Sequence, residues 1–509
     1  MFSQLSNNRG KVGCVQKDKN APGQAAVRSR RWAPKMPHKD PSSLSFQSAP
    51  TRRLVLASYW ALILLAVPLW WHTTSIERLA LPSARVAQAL AAPPLRFPVD
   101  VHIAGATSRD ISELREALGS CEGVELAFHA GEGLDQFGRY SVSIDPNAPP
   151  SVHGRHLSLP DVSNLASTLK SLLAPPDEEV GRGRAVGYAP RVRLAFSLLN
   201  EDASAGGGSL GWEVGRAIEQ TLAPTLASLS TLHNFTIESQ VQFHAPLAFT
   251  PSTLPSLSED VPAAYGLTRE DLTVFVNSAE WTLSSSATND PVLNFVLFVP
   301  AAGRRPLWIV DGEGHPSPST AFLLPQWGGI VLHNPAPDAP ASLTAHDLAP
   351  AMAAFKTQLL LLLGVPPLPP NISPRDGALT GWQTDALTRR RAAQNAQSAR
   401  ATLGSIVSLV AQIGNMPVGR GVRADVRGAL GALEAIATGG ADTLGKTATA
   451  LALSARAFFA PGMLGLLYFP AEHTAAVYTP LFASVAVPLV AAVVREGKLW
   501  RAERRGVVA

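Results

Sequence analysis

A chain of 509 residues with 46% hydrophobic content holds enough apolar surface for at least one large core, and its length allows two or three domains. The formal net charge of +4 comes mostly from basic residues near the two ends; no basic run interleaved with aromatics lies between them, which argues against nucleic-acid recognition. The two cysteines, Cys14 and Cys121, are too few for a fold held by disulfides.

Residues 1–51 mix Ser, Asn, Gln, Lys, Arg and Pro with few aliphatics, a composition that cannot bury enough surface to offset ordering. A disordered tail is expected there. An apolar run from Leu54 to Trp71 follows Arg52 and Arg53, and a second from Ala475 to Val494 precedes Arg495, Lys498, Arg501, Arg504 and Arg505. Each is about long enough to cross a bilayer, so transmembrane helices are expected at 52–72 and 475–494. Both basic flanks lie on the outward-going ends. The positive-inside rule then places both termini, including the basic tail 495–509, in the cytosol and residues from about His72 to His473 on the lumenal or extracellular side. Cys14 and Cys121 fall on opposite sides and cannot pair. Neither run carries a charge, so both read as anchors rather than ion paths.

A cleaved signal peptide is the competing reading of the first run, since Ala87-Gln88-Ala89 resembles a cleavage site. The long segment before the run and the distance of that site beyond Trp71 both argue against it. A buried helix competes for the second run, but its length and basic flank favour a span. Trp70, Trp71 and Trp500 are placed to mark the interfaces. Pro68, Pro480 and Pro488 free carbonyls that neighbouring helices would have to satisfy.

Between the spans, 73–95 reads as a linker, Ala- and Pro-rich from Leu81 to Pro94. Val99, Val101 and Ile103 alternate as in a strand, and Ile111, Leu114, Arg115 and Leu118 recur as in an amphipathic helix. Tyr140, Val142 and Ile144 form another strand, and Val162, Leu165, Leu169 and Leu172 another helix. Val192, Leu194, Phe196 and Leu198 mark a strand, Trp212 to Leu229 a helix, and Phe235 to Phe243 a strand. This alternation predicts a mixed α/β domain over 96–365, with helices flanking a sheet. The sheet is expected to continue as a meander through Leu272–Val276, Val292–Val299, Leu307–Val310 and Gly329–Leu332, with a hairpin-type turn at Asp311-Gly312. A helix from Leu343 to Leu363 should end at Gly364 and the prolines from Pro366 to Pro370. In the linker and helical region 366–474, Leu403, Ile406, Val407 and Val410, and then Val426, Leu430 and Leu433, predict a helical hairpin.

Candidate chemistry is sparse. Gly207-Gly208-Ser209-Leu210-Gly211 has the letters of a nucleophile elbow, but the Gly-Ser insertion after Asn200-Glu201-Asp202 reads better as a flexible loop. His153 and His156 have the spacing of two metal ligands, with no HExxH or second ligand pair beside them. Asp311, Glu313 and His315 sit in the expected turn, where solvated polar residues are ordinary. Cys121 is a lone thiol flanked by Glu122 and Glu125, which disfavour a thiolate, and it reads as a small buried hydrophobe. No Walker loop or dinucleotide fingerprint occurs. No catalytic, cofactor-binding or metal residue is therefore assigned and no cofactor is expected. The sequons Asn234-Phe235-Thr236 and Asn371-Ile372-Ser373 fall in the segment placed outside the cytosol, so Asn234 and Asn371 are candidate glycosylation sites, the second weakened by Pro374.

The residues from Arg53 to Trp60, then Pro68 to Trp71, Thr74, Arg78, Leu81 and Pro82, resemble the N-terminal signature of the PIG-S family. Further pieces recur in order. Trp212-Glu213 through Leu232, with Asn234 to Gln240, is similar to the family's central helix and strand; Pro306 to Ile309 and Trp327 to Ile330 to its strand pair; Phe458-Phe459 to Pro470 and Ala476 to Leu489 to its second anchor. The resemblance implies a non-catalytic subunit of the glycosylphosphatidylinositol (GPI) transamidase of the endoplasmic reticulum, which joins a preassembled glycolipid anchor to the C-terminus of proteins. It implies PIG-K, PIG-T, PIG-U and a GAA-type subunit as partners, beside membrane lipid, with the cysteine nucleophile on PIG-K. The long tail and the glycines Gly206 to Gly208 depart from the family pattern. Two alternatives stand beside this reading: a membrane-anchored lumenal hydrolase using Ser209 or Cys121, and a surface receptor whose α/β domain binds a ligand.

Overall fold

The computed structural model describes residues 48–505, apart from 75–76, 132, 177–182, 205–207, 255–263, 284–288, 337–338, 376–378, 415, 437–441 and 465–470. Cys14, nearly all of the expected tail, Gly206 and Gly207 lie outside the described residues. In chain order, helix α1 (Ala49–Thr74) is followed by α2 (Ser83–Ala91), β1 (Phe97–Ile103), α3 (Ser108–Leu118), β2 (Val124–Ala130), β3 (Arg139–Ile144), β4 (Ser151–His153), β5 (His156–Leu159) and α4 (Leu165–Leu173). Next come β6 (Arg191–Asn200), β7 (Gly211–Trp212), α5 (Val214–Thr221), α6 (Ala223–Ser228), β8 (Asn234–Gln242), β9 (Ser252–Leu254), β10 (Ala264–Leu267), α7 (Arg269–Val274) and β11 (Val292–Val299). The remainder is β12 (Leu307–Ile309), β13 (Ala321–Leu324), β14 (Gly328–Leu332), β15 (Ser342–Leu343), α8 (Ala349–Leu363), β16 (Ser373–Pro374), α9 (Gly381–Gln412), α10 (Arg420–Glu434), α11 (Thr443–Phe458), α12 (Pro461–Leu464) and α13 (Ala471–Arg504). Two units separate, one of residues up to Ser75 together with those from Ala475 on, the other Ile76–Thr474.

In the first unit α1 and α13 run antiparallel. Arg52 and Arg53 reach Glu496 at 3.3 and 3.1 Å, Arg53 reaches Glu503 at 2.7 Å, and Trp70 meets Tyr478 and Phe482 edge-on. The described start of the first helix and the end of the last are therefore at the same end of the pair. Both helices are long and apolar enough to cross a membrane, over Ala49–Trp70 and Ala476–Arg504, and neither stretch is buried by the protein.

The second unit contains two main sheets rather than the single continuing sheet expected from sequence. The six-stranded one has the order β16-β4-β5-β3-β1-β2, with β1, β2, β3 and β5 parallel and a tight β4–β5 hairpin turning at Gly154, whose φ of 53° suits a residue without Cβ. Alternate residues of β1, Phe97, Val99, Val101 and Ile103, are buried. Val99, Val101 and Ile103 pack with α3, α4 and Trp382 in one core. The five-stranded sheet has the order β13-β14-β11-β6-β8, parallel except for the edge strand β13. Its central strands are apolar on both faces because both faces are covered. Leu194, Phe196 and Leu198 face α5 and α8, while Leu199, Val296 and Phe298 face an aromatic cluster of Phe275, Trp281 and Phe322. Each such fully buried side chain contributes about 1.5–3 kcal/mol of transfer free energy.

Several expectations are corrected. The meander is not formed: β11 and β14 pair in parallel, and β12 belongs to a separate sheet, β12-β10-β9. Leu272–Val276 is not a strand, because Thr268 and Asp271 close a capping box that starts α7. Trp212 lies in β7, and the helix expected from Trp212 to Leu229 is divided into α5 and α6 before Pro224. The segment Leu81–Pro94 is not irregular: its prolines flank the Ala-rich α2, which buries Val86 against the helical region. The expected α9–α10 hairpin is instead a bundle in which α11 packs on both helices and α2 joins them. The helix before Gly364 is present as α8, and Gly364 closes it in the left-handed conformation at φ 71°.

Candidate functional site

In open parallel sheets ligands bind beyond the carboxyl ends of the strands where the order reverses. Here that point is between β6 and β11, since the chain adds β8 on one side of β6 and then β11 and β14 on the other. The polar residues at that point are engaged by the protein's own groups. The buried Asn200 donates to the Ser209 carbonyl at 2.8 Å and to the Gln242 carbonyl at 3.2 Å, and accepts from the Ser209 N–H at 2.8 Å. Glu201, also buried, accepts from the Ala301 N–H at 2.9 Å and pairs with Arg304. These contacts tie the ends of β6, β8 and β11 together and hold the loop after β6.

Ser209 is thereby clamped through its main chain, is itself buried, and precedes a strand rather than a helix. It does not sit on a strand-to-helix elbow, and no histidine hydrogen-bonds it among the described residues. Cys121 is buried beside Leu118 and Val124; burial pushes its thiol up, against a weaker opposite pull from Lys170. Both features leave it a poor nucleophile. The ring of His156 is held at one nitrogen by Ser141 Oγ (2.8 Å) and at the other by Ser143 Oγ (2.9 Å), which occupies both positions a metal would use. His153 faces it across the β4–β5 pair, and no cluster of metal-ligating side chains occurs among the described residues. Asp311, Glu313 and His315 do form a turn: the Asp311 carboxylate accepts from the N–H groups of Glu313 and His315, each at 2.9 Å, and these bonds lower its pKa. Among the described residues, none of Asp311, Glu313 and His315 contacts Ser209 or Cys121.

Sequence reasoning missed a buried polar cluster joining the first sheet to α9. Asp385, 2% exposed, receives a bidentate pair of bonds from Arg155, both at 2.7 Å, and one from the Tyr140 hydroxyl at 2.9 Å. Arg389 donates to the same hydroxyl at 2.6 Å, and Trp382 stacks on the Tyr140 ring at 4.0 Å. Burial raises the Tyr140 pKa, and the Asp385 carboxylate raises that of Arg155. The cluster pairs Arg155 with Asp385, hydrogen-bonds Arg389 to the Tyr140 hydroxyl and the Leu173 carbonyl, and fastens two regions distant in sequence. Its local signal was the capping box Thr380-Gly381-Trp382-Gln383, which starts α9.

Both sequons are accessible. Asn234 and Thr236 are exposed at the start of β8, an edge strand, and Asn371 and Ser373 are exposed around a left-handed turn with φ 72° at Asn371.

The sequence profile of the PIG-S family, phosphatidylinositol-glycan biosynthesis class S protein, matches residues 57–122 and 157–503, from inside α1 to inside α13. The GPI-anchor transamidase component PIGS of Rattus norvegicus is 34% identical over 319 residues, 59% of this chain and 56% of its own length. That of Homo sapiens is 33% identical over 358 residues, 66% of this chain and 63% of its own length. The GPI transamidase component PIG-S homolog of Schizosaccharomyces pombe is 27% identical over 493 residues, 89% of this chain and 85% of its own length. The match thus spans little more than half of the rat relative and most of the Schizosaccharomyces one.

Proposed function

Because the chain belongs to the PIG-S family, we propose that it is a non-catalytic membrane subunit of a GPI transamidase, supporting attachment of preassembled GPI anchors to protein C-termini in the endoplasmic reticulum. The observation that carries this reading is a family match running from one apolar helix to the other, among relatives named as transamidase components. In this reading α1 and α13 are the membrane spans, both termini are cytosolic, and the body between them is lumenal and carries glycans at Asn234 and Asn371. The cysteine nucleophile resides on a PIG-K subunit, with PIG-T, PIG-U and a GAA-type subunit completing the assembly. Neither the hydrolase nor the receptor alternative is favoured: the relatives are named as transamidase components, Ser209 and Cys121 are buried, and Asn200 and Glu201 at the carboxyl end of β6 are engaged by the protein's own groups.

Affinity purification of the full chain from mild-detergent extracts tests the assignment. Co-purification of a cysteine-protease-like subunit, and loss of anchor attachment on depletion of this chain, are the expected results. A chain recovered alone from cells whose anchor attachment survives its depletion overturns the reading.

A further inference from the structure

A cleft of about 490 Å³ opens at one end of the helical region, between the start of α10, the end of α11 and α12, with mostly apolar walls that include Pro417, Val422, Phe459, Pro461 and Met463. The stretch Glu77–Leu79 is pinned to the same wall: Leu79 N–H donates to the Val418 carbonyl at 3.0 Å and Val418 N–H to that of Glu77 at 2.8 Å. Arg78 adds bonds to carbonyls at the end of α9, including Val410 at 2.5 Å. At the rim Phe459 is 67% exposed, an unusual position for so large an aromatic; Arg456 also lines the cleft, and Arg420 stands at the start of α10 paired with the lining Glu77, their side chains 68% and 88% exposed. Arg456 pairs with Asp425 through two of its nitrogens and Arg420 with Glu77 through one, and both side chains stay largely solvent-exposed.

Two features of the chain indicate what this surface meets. Glu77 follows the last residue of α1 so closely that the intervening backbone spans at most about 11 Å. The sequence from Phe458 to Pro470, which leads into α13, contains no charged residue and four aromatics, Phe458, Phe459, Tyr468 and Phe469. An exposed phenylalanine at a rim that also carries arginines, next to a stretch of uncharged sequence, matches the interfacial layer of a bilayer, where rings sit at headgroup level and guanidinium groups meet phosphates. We propose that this end of the folded body seats on the phospholipid headgroup layer, with Phe459 entering the interface and Arg420 and Arg456 meeting lipid phosphates. The proposal rests on the reading of α1 and α13 as spans.

A polarity-sensitive fluorophore on Phe459→Cys, in the full chain carrying Cys14→Ser, tests it in phosphatidylcholine nanodiscs with and without headgroup-spin-labelled lipid. The same probe on Leu134→Cys, an exposed position in the first-sheet region, is the control. The expected result is a blue-shifted probe at 459, quenched several-fold more by spin-labelled lipid than the probe at 134. Equal quenching at the two positions, in protein that resists alkaline extraction from membranes, overturns the headgroup contact while leaving the spans intact. Release of the protein by alkali overturns the spans and the contact together.

Discussion

At the scale of single residues, the Asp385 cluster is the strongest determinant of how the first sheet is held to α9. Removing Asp385 leaves Arg155, among the described residues, only the exposed Asp135 and takes the carboxylate from the buried Tyr140 and Arg389, so Asp385→Ala should cost about 3 kcal/mol, measured by chemical denaturation of the purified chain. The double variant Asp385→Ala, Arg155→Met should lose less than the single one, because Arg155 is then not left without its bidentate acceptor; an equal or greater loss would show that stranding Arg155 is not what the single variant costs. Cys121→Ala and Ser209→Ala should both support anchor attachment at the parental level, because neither side chain has the exposure or the base that a nucleophile needs. Loss of attachment in a variant that still folds and co-purifies with its partners would expose an overlooked catalytic role. His233 is 2% exposed, and burial lowers its pKa below the ordinary 6.5, with Arg391 adding to the shift and the Ala189 carbonyl opposing it. The folded state therefore binds fewer protons than the unfolded one once pH drops to about 6.5, and stability falls as pH decreases through that value. The denaturation midpoint should decline between about pH 7 and 5.5, and His233→Asn should flatten that slope whatever its effect at neutral pH. An unchanged slope would assign the acid sensitivity to other groups.

At the scale of elements, legibility followed burial. The strands β1, β3, β6 and β11 were readable because alternating or continuous apolar residues record how many faces are covered, and α8 because Gly364 and the prolines mark its end. Misreadings came where local chemistry outweighed composition. The β-branched residues of Leu272–Val276 look like a strand, yet the Thr268–Asp271 capping box had already begun a helix. Thr268→Ala should cost about 1 kcal/mol, read as a lower denaturation midpoint, whereas Thr273→Ala on the same exposed helix should be near neutral. An equal effect of the two would mean that the cap contributes nothing special. The capping box at Thr380 marks where α9 begins, but the pairing across the cluster is not readable, since Tyr140 and Asp385 are 245 positions apart and neither residue's neighbours announce the other. The candidate site residues were legible as residues, but only the fold shows that Ser209 and Cys121 are buried and that both nitrogens of His156 are already engaged.

At the scale of the whole molecule, the proposed function makes the two apolar helices the link between this fold and a membrane assembly. Pro480 and Pro488 stand inside α13, and a proline in a helix frees the carbonyl one turn earlier, which lipid cannot satisfy. The pairing of α1 with α13 uses Tyr478 and Phe482 near one end and Glu496 and Glu503 near the other, and it leaves Val485, Val487 and Val490 exposed on α13. If α13 spans a membrane as proposed, those residues face its lipid or other spans, where helix packing proceeds without a hydrophobic driving force. Replacing residues 475–494 with an unrelated apolar helix of equal length should therefore preserve membrane insertion, judged by resistance to alkaline extraction, yet lower co-purification of the other transamidase subunits and anchor attachment. Restoring only Pro480 and Pro488 in the replaced helix should recover part of that loss if the freed carbonyls are bonded by a partner. If the replaced chain assembles and supports attachment as well as the parent, α13 is an anchor and nothing more, and the docking surface has to be sought on the body between Ile76 and Thr474.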